Sequence, residues 1–131
     1  MSATYYTDNL ILNWMRGNAP ATPAAIYLAA LTAAPNLKTP TVTEVSAAGT
    51  AYARQALPLG VPANGVSVNS AAVNFPIATA SWGTVTHMAI FDAATAGNCL
   101  CVFPLSTSQA VGIGNQLAFD TGTNTITVTV D

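Results

Sequence analysis

The alternation of apolar and polar positions divides the chain into one short helical stretch and a long succession of strand-like runs. Leu10, Ile11, Trp14 and Met15 recur at i, i+1, i+4 and i+5, which gathers them on one helix face, with Asn9, Asn13 and Arg16 on the polar side. Thr7 or Asp8 can cap the N-terminus, and Gly17 followed by Pro20 ends the element, so the spacing predicts a helix over residues 8–17. A helix this short is marginal alone in water and must dock on something. After it, candidate strands cover 25–32, 51–57, 66–69, 72–75, 84–92, 100–105, 116–119 and 125–130. Turn signals separate them: Pro35, Asn36 and Pro40, then Gly49, Pro62-Ala63-Asn64-Gly65, Gly97-Asn98, Gly112 with Gly114, and Gly122. Asn64-Gly65 is the best hairpin signal in the chain. The last run alternates strictly, sending Ile126, Val128 and Val130 inward and Thr125, Thr127 and Thr129 outward, as a half-exposed antiparallel strand does.

No strand–helix–strand alternation occurs, so a Rossmann-type fold is excluded. The pattern predicts a mainly-β chain: an antiparallel β-sandwich, Greek-key or jelly-roll in type, with one short N-terminal amphipathic helix. The 131 residues and 13.3 kDa fit a single domain over 1–131, with 1–20 as its helical segment.

Composition changes the picture of the surface. Only 6% of residues are charged, against roughly 25% in an ordinary soluble protein. The eight charges are Asp8, Arg16, Lys38, Glu44, Arg54, Asp92, Asp120 and Asp131. With three basic residues and a net charge of -2 there is no basic patch, which excludes nucleic-acid binding through phosphates. A compact monomer of this mass exposes roughly 6,500 Å², of which eight charged side chains would cover about an eighth. The rest is Ala, Thr, Ser, Asn and backbone, a surface weakly defended against association. It is either buried against neighbours or simply neutral.

A membrane span is not expected. The longest strictly apolar run, residues 24–31, is far short of the ~20 residues a bilayer requires. Asp8, Pro20, Pro23 and the single basic Arg16 argue against a secretory signal ahead of Thr32-Ala33-Ala34. Cys99 and Cys101, two apart in a strand, would share a face at a separation that strains a disulfide, so two buried thiols suited to a reducing cytoplasm are expected.

Candidate chemistry is sparse. His87 shares a face with Val85, Ala89 and Phe91 by alternation, the setting of a hydrogen-bonded core or interface histidine. Ser81 and Asp92 lie near it in sequence, but Asp92 falls on the opposite face, and no triad is expected. Asp92 ahead of Ala93-Ala94-Thr95-Ala96-Gly97-Asn98 reads as a carboxylate opening a turn through backbone N–H groups. Nothing converges two of Asp8, Glu44, Asp92 and Asp120, and Gly112-Ile113-Gly114 lacks the rest of a dinucleotide fingerprint. Arg54, on a strand beside Tyr52, needs a partner, and Glu44 is the nearest carboxylate. Trp14 and Trp82 are core or interface anchors. No catalytic residue, metal ligand or cofactor is expected; the candidate interface residues are Trp14, Tyr52, Arg54, Trp82 and His87.

The order of segments carries a resemblance. Ile26-Tyr-Leu-Ala-Ala-Leu-Thr-Ala-Ala-Pro35, Glu44-Val45-Ser46 leading to Gly49-Thr-Ala-Tyr-Ala-Arg-Gln55, and Asn69-Ser-Ala-Ala-Val-Asn-Phe-Pro76 resemble small structural proteins of tailed bacteriophages. The block from Trp82 to Asn98, then Pro104-Leu105, Val111 and Gly114, continues it over nearly the whole chain. Those proteins tend to a Gly-Gly-Tyr-Ala-Arg block, whereas here Thr50-Ala51 separates Gly49 from Tyr52; Cys99 and Cys101 stand in a stretch that is usually aliphatic.

The resemblance implies a non-enzymatic virion component assembled in the bacterial cytoplasm and transfers no catalytic residue. The expectation drawn from it is a capsid decoration, or cement, protein on the phage head. It would associate with itself, a trimer being the first guess, and with the major capsid protein, through the segment around Trp14, the loop 35–49 and Thr/Asn-rich strand faces. The alternative is a tail-fibre or baseplate module involved in host attachment.

Overall fold

The computed structural model describes residues 1–39, 41–122 and 125–129. Among them the order is β1 (Ser2–Ala3), α1 (Tyr5–Met15), β2 (Tyr27–Leu31), β3 (Gln55–Ala56), β4 (Val66–Val68), β5 (Val73–Asn74), β6 (Gly83–Phe91), β7 (Cys99–Val111), β8 (Ala118–Phe119) and β9 (Thr127–Thr129). The chain is mainly β and its strand pairs are antiparallel, with one helix near the N-terminus. Five strands make the principal sheet in the order β1-β7-β6-β2-β3, and two ribbons, β4-β9 and β5-β8, lie apart from it. One core joins them: Leu28, Ala30, Val85, Met88, Ile90 and Cys101 from the sheet meet Val73, Phe75, Leu117, Phe119, Ile126 and Val128 from the ribbons and their flanks. This is a two-layer packing of unequal layers. The opposite sheet face buries Ala29, Leu31, Ala89, Phe91, Cys99 and Val102, and it is covered by Leu37 and Val42 of the following loop.

The turn chemistry explains the connections. Asn64 and Gly65 both have positive φ, 53° and 76°, and Ala63 and Val66 exchange backbone bonds around them, the mirror-image turn a tight hairpin needs. Gly17, at φ 88°, stops α1: its N–H bonds the Trp14 carbonyl and the Asn18 N–H bonds the Asn13 carbonyl.

Several expectations require correction. The helix starts three residues before position 8, because Thr4, outside the expected element, is the N-cap. The strand expected over 51–57 contracts to Gln55–Ala56, since Ala51 takes a left-handed φ of 63° and breaks the extended run. Ala51 directly precedes Tyr52, where the resembled proteins carry glycine. The strand expected over 100–105 instead runs 13 residues, through the polar Ser106-Thr107-Ser108-Gln109. Ile126 and Val128 do face inward, while Pro40 and Val130 lie outside the described residues.

Two register shifts in the β6–β7 hairpin overturn the strict alternation. Ile90 pairs with Cys101 but Phe91 pairs with Cys99, so Leu100 is an extra residue. Cys99 and Cys101 therefore lie in different cores on opposite faces of the sheet rather than sharing one. Further along, Val85 pairs with Gln109 and His87 with Pro104. That shift moves Val85 into the core that holds Met88 and Ile90, away from Ala89 and Phe91.

Candidate functional site

The densest polar constellation is built on Arg54. Its Nε and Nη2 grip Glu44 Oε1 and Oε2 at 2.8 and 2.9 Å, a two-pronged ion pair. Its Nη1 donates to the Ala93 and Ala96 carbonyls at 2.9 and 2.7 Å, and its guanidinium stacks 3.7 Å over the Phe91 ring. Desolvation opposes the charge, but Glu44 outweighs it and holds the guanidinium above its ordinary pKa. Glu44 Oε1 also accepts from the Tyr52 hydroxyl at 2.7 Å, and that hydroxyl accepts from the Ala30 N–H at 3.0 Å. Burial, ahead of the contact with Glu44, pushes the Tyr52 phenol well above its ordinary range. Arg54 thus ties the 35–49 loop to the β6–β7 turn, and Tyr52 extends the network from Glu44 to strand β2. Its side chain is only 7% exposed, so its donors serve this fold.

The turn that Arg54 clamps is also closed from within. Asp92 accepts from the Asn98 N–H at 2.7 Å and from its side-chain amide at 3.0 Å. Burial works against the charged form, but these donations outweigh it and hold the Asp92 carboxyl below its ordinary value. Gly97, at φ 72°, passes so close that a Cβ there would sit 2.6 Å from Asp92 Oδ1 and 2.7 Å from the Ala93 Cβ.

Tyr52, Phe75 and Trp82 form an aromatic cluster at the centre of the molecule. Tyr52 stacks on Phe75 with centroids 6.1 Å apart, and Trp82 meets Tyr52 edge-on at 5.3 Å. The Trp82 indole N–H donates to the Thr50 carbonyl at 2.9 Å. Trp82 is therefore a core anchor, and Tyr52 is buried with it. His87 is half-buried between Leu31 of β2 and Pro104 of β7, with Nδ1 2.8 Å from the Thr86 hydroxyl. Ser81 accepts from the Gly83 N–H and Asp92 is held by Asn98, so the structure does not join these three. Among the described residues no three His, Cys, Asp or Glu side chains gather as a metal would require.

Trp14 differs from the other four candidates, being 66% exposed on α1. No residue of this helix is buried. The Leu100 bulge is what holds it: the Leu100 carbonyl accepts the Thr4 N–H at 3.0 Å and the Thr7 hydroxyl at 2.7 Å, while the Thr4 hydroxyl donates to the Cys99 carbonyl at 2.6 Å. Beneath the helix an apolar cleft of about 570 Å³ is lined by Tyr6, Leu10, Pro23, Ile26, Ile90 and Leu100 among others. Residues 16–25 are exposed without a break. The chain as a whole exposes 7172 Å², above the roughly 6,500 Å² of a compact monomer of its mass.

Two organising residues escaped the sequence reading. Thr4 is fully buried, and Asn69, 2% exposed, donates to the Ala71 and Asp120 carbonyls and accepts from the Ile126 N–H at 2.8 Å. The only local signal was a Thr or Asn at a strand or helix boundary; the partners of Asn69 at Asp120 and Ile126 are 51 and 57 positions away.

A buried polar framework stitches the loops together beside a helix whose apolar residues face outward. Comparison with known families makes this specific. The chain belongs to the family described as Podophage GP4 fiber I protein gp80, which it matches over residues 2–127, and is thus a structural protein of a tailed-phage virion. No curated protein matches it. No helix among the described residues is long and apolar enough to cross a membrane.

Proposed function

We propose that this protein is a non-enzymatic component of a virion fibre on the phage tail, contributing to host attachment through the assembled fibre. The observation that carries this reading is the match to a family of fibre proteins over residues 2–127. The chemistry agrees with it: Glu44, Arg54 and Asp92 are engaged in bonds that hold the protein's own loops. The exposed remainder is mostly uncharged, Arg16, Lys38 and Asp120 being its exposed charges among the described residues, and it presents Leu12, Trp14, Met15, Val61, Ile77 and Ile113 to solvent. Such a surface costs little to bury against other virion proteins. The neutrality behind the capsid-decoration expectation serves burial within a fibre equally well, and the family description weighs toward the fibre. Electron microscopy of particles carrying an affinity label on this chain tests the reading. Label on tail fibres in a few dozen copies or fewer is expected. Label spread over the head shell would overturn the fibre assignment and restore the decoration reading.

A further inference from the structure

The outward side of α1 carries a pattern that points to its own partner. At 100° per residue, Tyr6, Thr7 and Leu10 turn toward the body, where they line the cleft. The opposite side carries Tyr5, Asp8, Asn9, Leu12, Met15 and Arg16, with Ile11 at its edge. Tyr5 is 49% exposed, Ile11 40%, Leu12 59% and Met15 69%. Together they expose about 400 Å² of largely apolar side chain, half of the ~800 Å² each partner buries in a stable protein–protein interface. The unbroken exposed segment 16–25 adjoins this face and adds to the available area.

The two charges of the helix sit symmetrically about Leu12. Asp8 is four residues before it and Arg16 four residues after, each about 6 Å along the axis and within about 40° of the same line. Laid antiparallel on a copy of itself with a two-fold axis through Leu12, the face brings Asp8 level with Arg16 of the second helix, and Arg16 level with its Asp8. Unlike charges meet twice. A parallel arrangement, as around a three-fold axis along the helices, sets like charges side by side. We infer that this face of α1 is a two-fold interface with a second copy of the chain, its apolar row supplying affinity and its charges fixing the antiparallel register. Trp14, about 160° around the helix from Leu12, lies outside this contact.

Sedimentation equilibrium of the full-length chain tests this, with near-UV circular dichroism confirming a folded body in each variant. The wild type is expected to dimerise. Leu12→Glu should weaken association more than tenfold, and Trp14→Ala should leave it unchanged. Asp8→Lys and Arg16→Glu should each weaken it about tenfold, because each sets like charges together twice. An equimolar mixture of those two variants should recover near wild-type association, since the mixed dimer has both unlike pairs, a recovery that helix destabilisation cannot mimic. A wild-type monomer or trimer, an association indifferent to Leu12→Glu, or a mixture no tighter than its components would overturn the proposal.

Discussion

The protein contains two tryptophans, and they have opposite fates. Trp82 is 4% exposed, bonded through its indole N–H to Thr50 and wedged against Tyr52 and Phe75. Trp14 is 66% exposed on a helix with no buried residue. The difference is one of support. Trp82 is fixed by partners from distant parts of the chain, so its burial belongs to the cooperative core. Trp14 rides on an arm held mainly through Thr4, Thr7 and the two-residue strand β1. The body completes its own core, and the arm leaves apolar surface uncovered.

The sharpest way to break this contrast is to truncate both tryptophans. Trp82→Ala should cost about 3–5 kcal/mol, enough to bring a domain of this size near unfolding, whereas Trp14→Ala should stay within about 0.5 kcal/mol by urea denaturation. The charged groups should divide similarly. Glu44→Ala strips Arg54 and the Tyr52 hydroxyl of a shared acceptor and should cost about 3 kcal/mol, while Asp8→Ala on the arm should cost about 1 kcal/mol or less through the helix dipole. The glycines make a finer pair. Gly97→Ala meets both a left-handed φ and the Asp92 and Ala93 side chains, while Gly17→Ala meets the φ alone, nothing else lying within 4 Å. Both should lower Tm, Gly97→Ala the more.

A last contrast concerns pH. Burial, with Cys101 adding to it, pushes the Cys99 thiol up to about 12 from an ordinary 9.0. A thiol whose folded pKa is raised contributes stability that is fully present below pH 9 and is lost as the pH rises toward 12, because only the unfolded chain can release the proton there. Unfolding free energy should therefore fall over that window in the wild type and fall less in Cys99→Ala. Equal slopes would show that Cys99 carries no linkage.

Much of the chain was legible in its pattern. The Asn64-Gly65 turn, the Gly17 stop, the Asp92 loop and the partnership of Arg54 with Glu44 each follow from a local rule about which residues can take a conformation or need a partner. The bulges were not legible. The extra residue at Leu100 and the slip opposite Val85 depend on how β7 pairs with β6, and period-2 alternation carries no record of pairing. The consequence is large: one unseen residue puts Cys99 and Cys101 in different cores and leaves the Leu100 carbonyl free to receive Thr4 and Thr7. The true N-cap at Thr4 was missed for the same reason, since its bonds to Cys99 and Leu100 span 95 and 96 positions. Local pattern located the helix's apolar residues but could not say that the body leaves them uncovered.

The claim that the body is self-sufficient while the arm awaits a neighbour is tested most directly by amide hydrogen exchange, in the dilute protein and in the assembled virion. Strand β6, residues 83–91, should exchange slowly in both. Helix α1, residues 5–15, should exchange rapidly in the dilute protein and become protected on assembly. A helix as protected as β6 at high dilution, or one whose exchange does not change in the particle, would contradict the account.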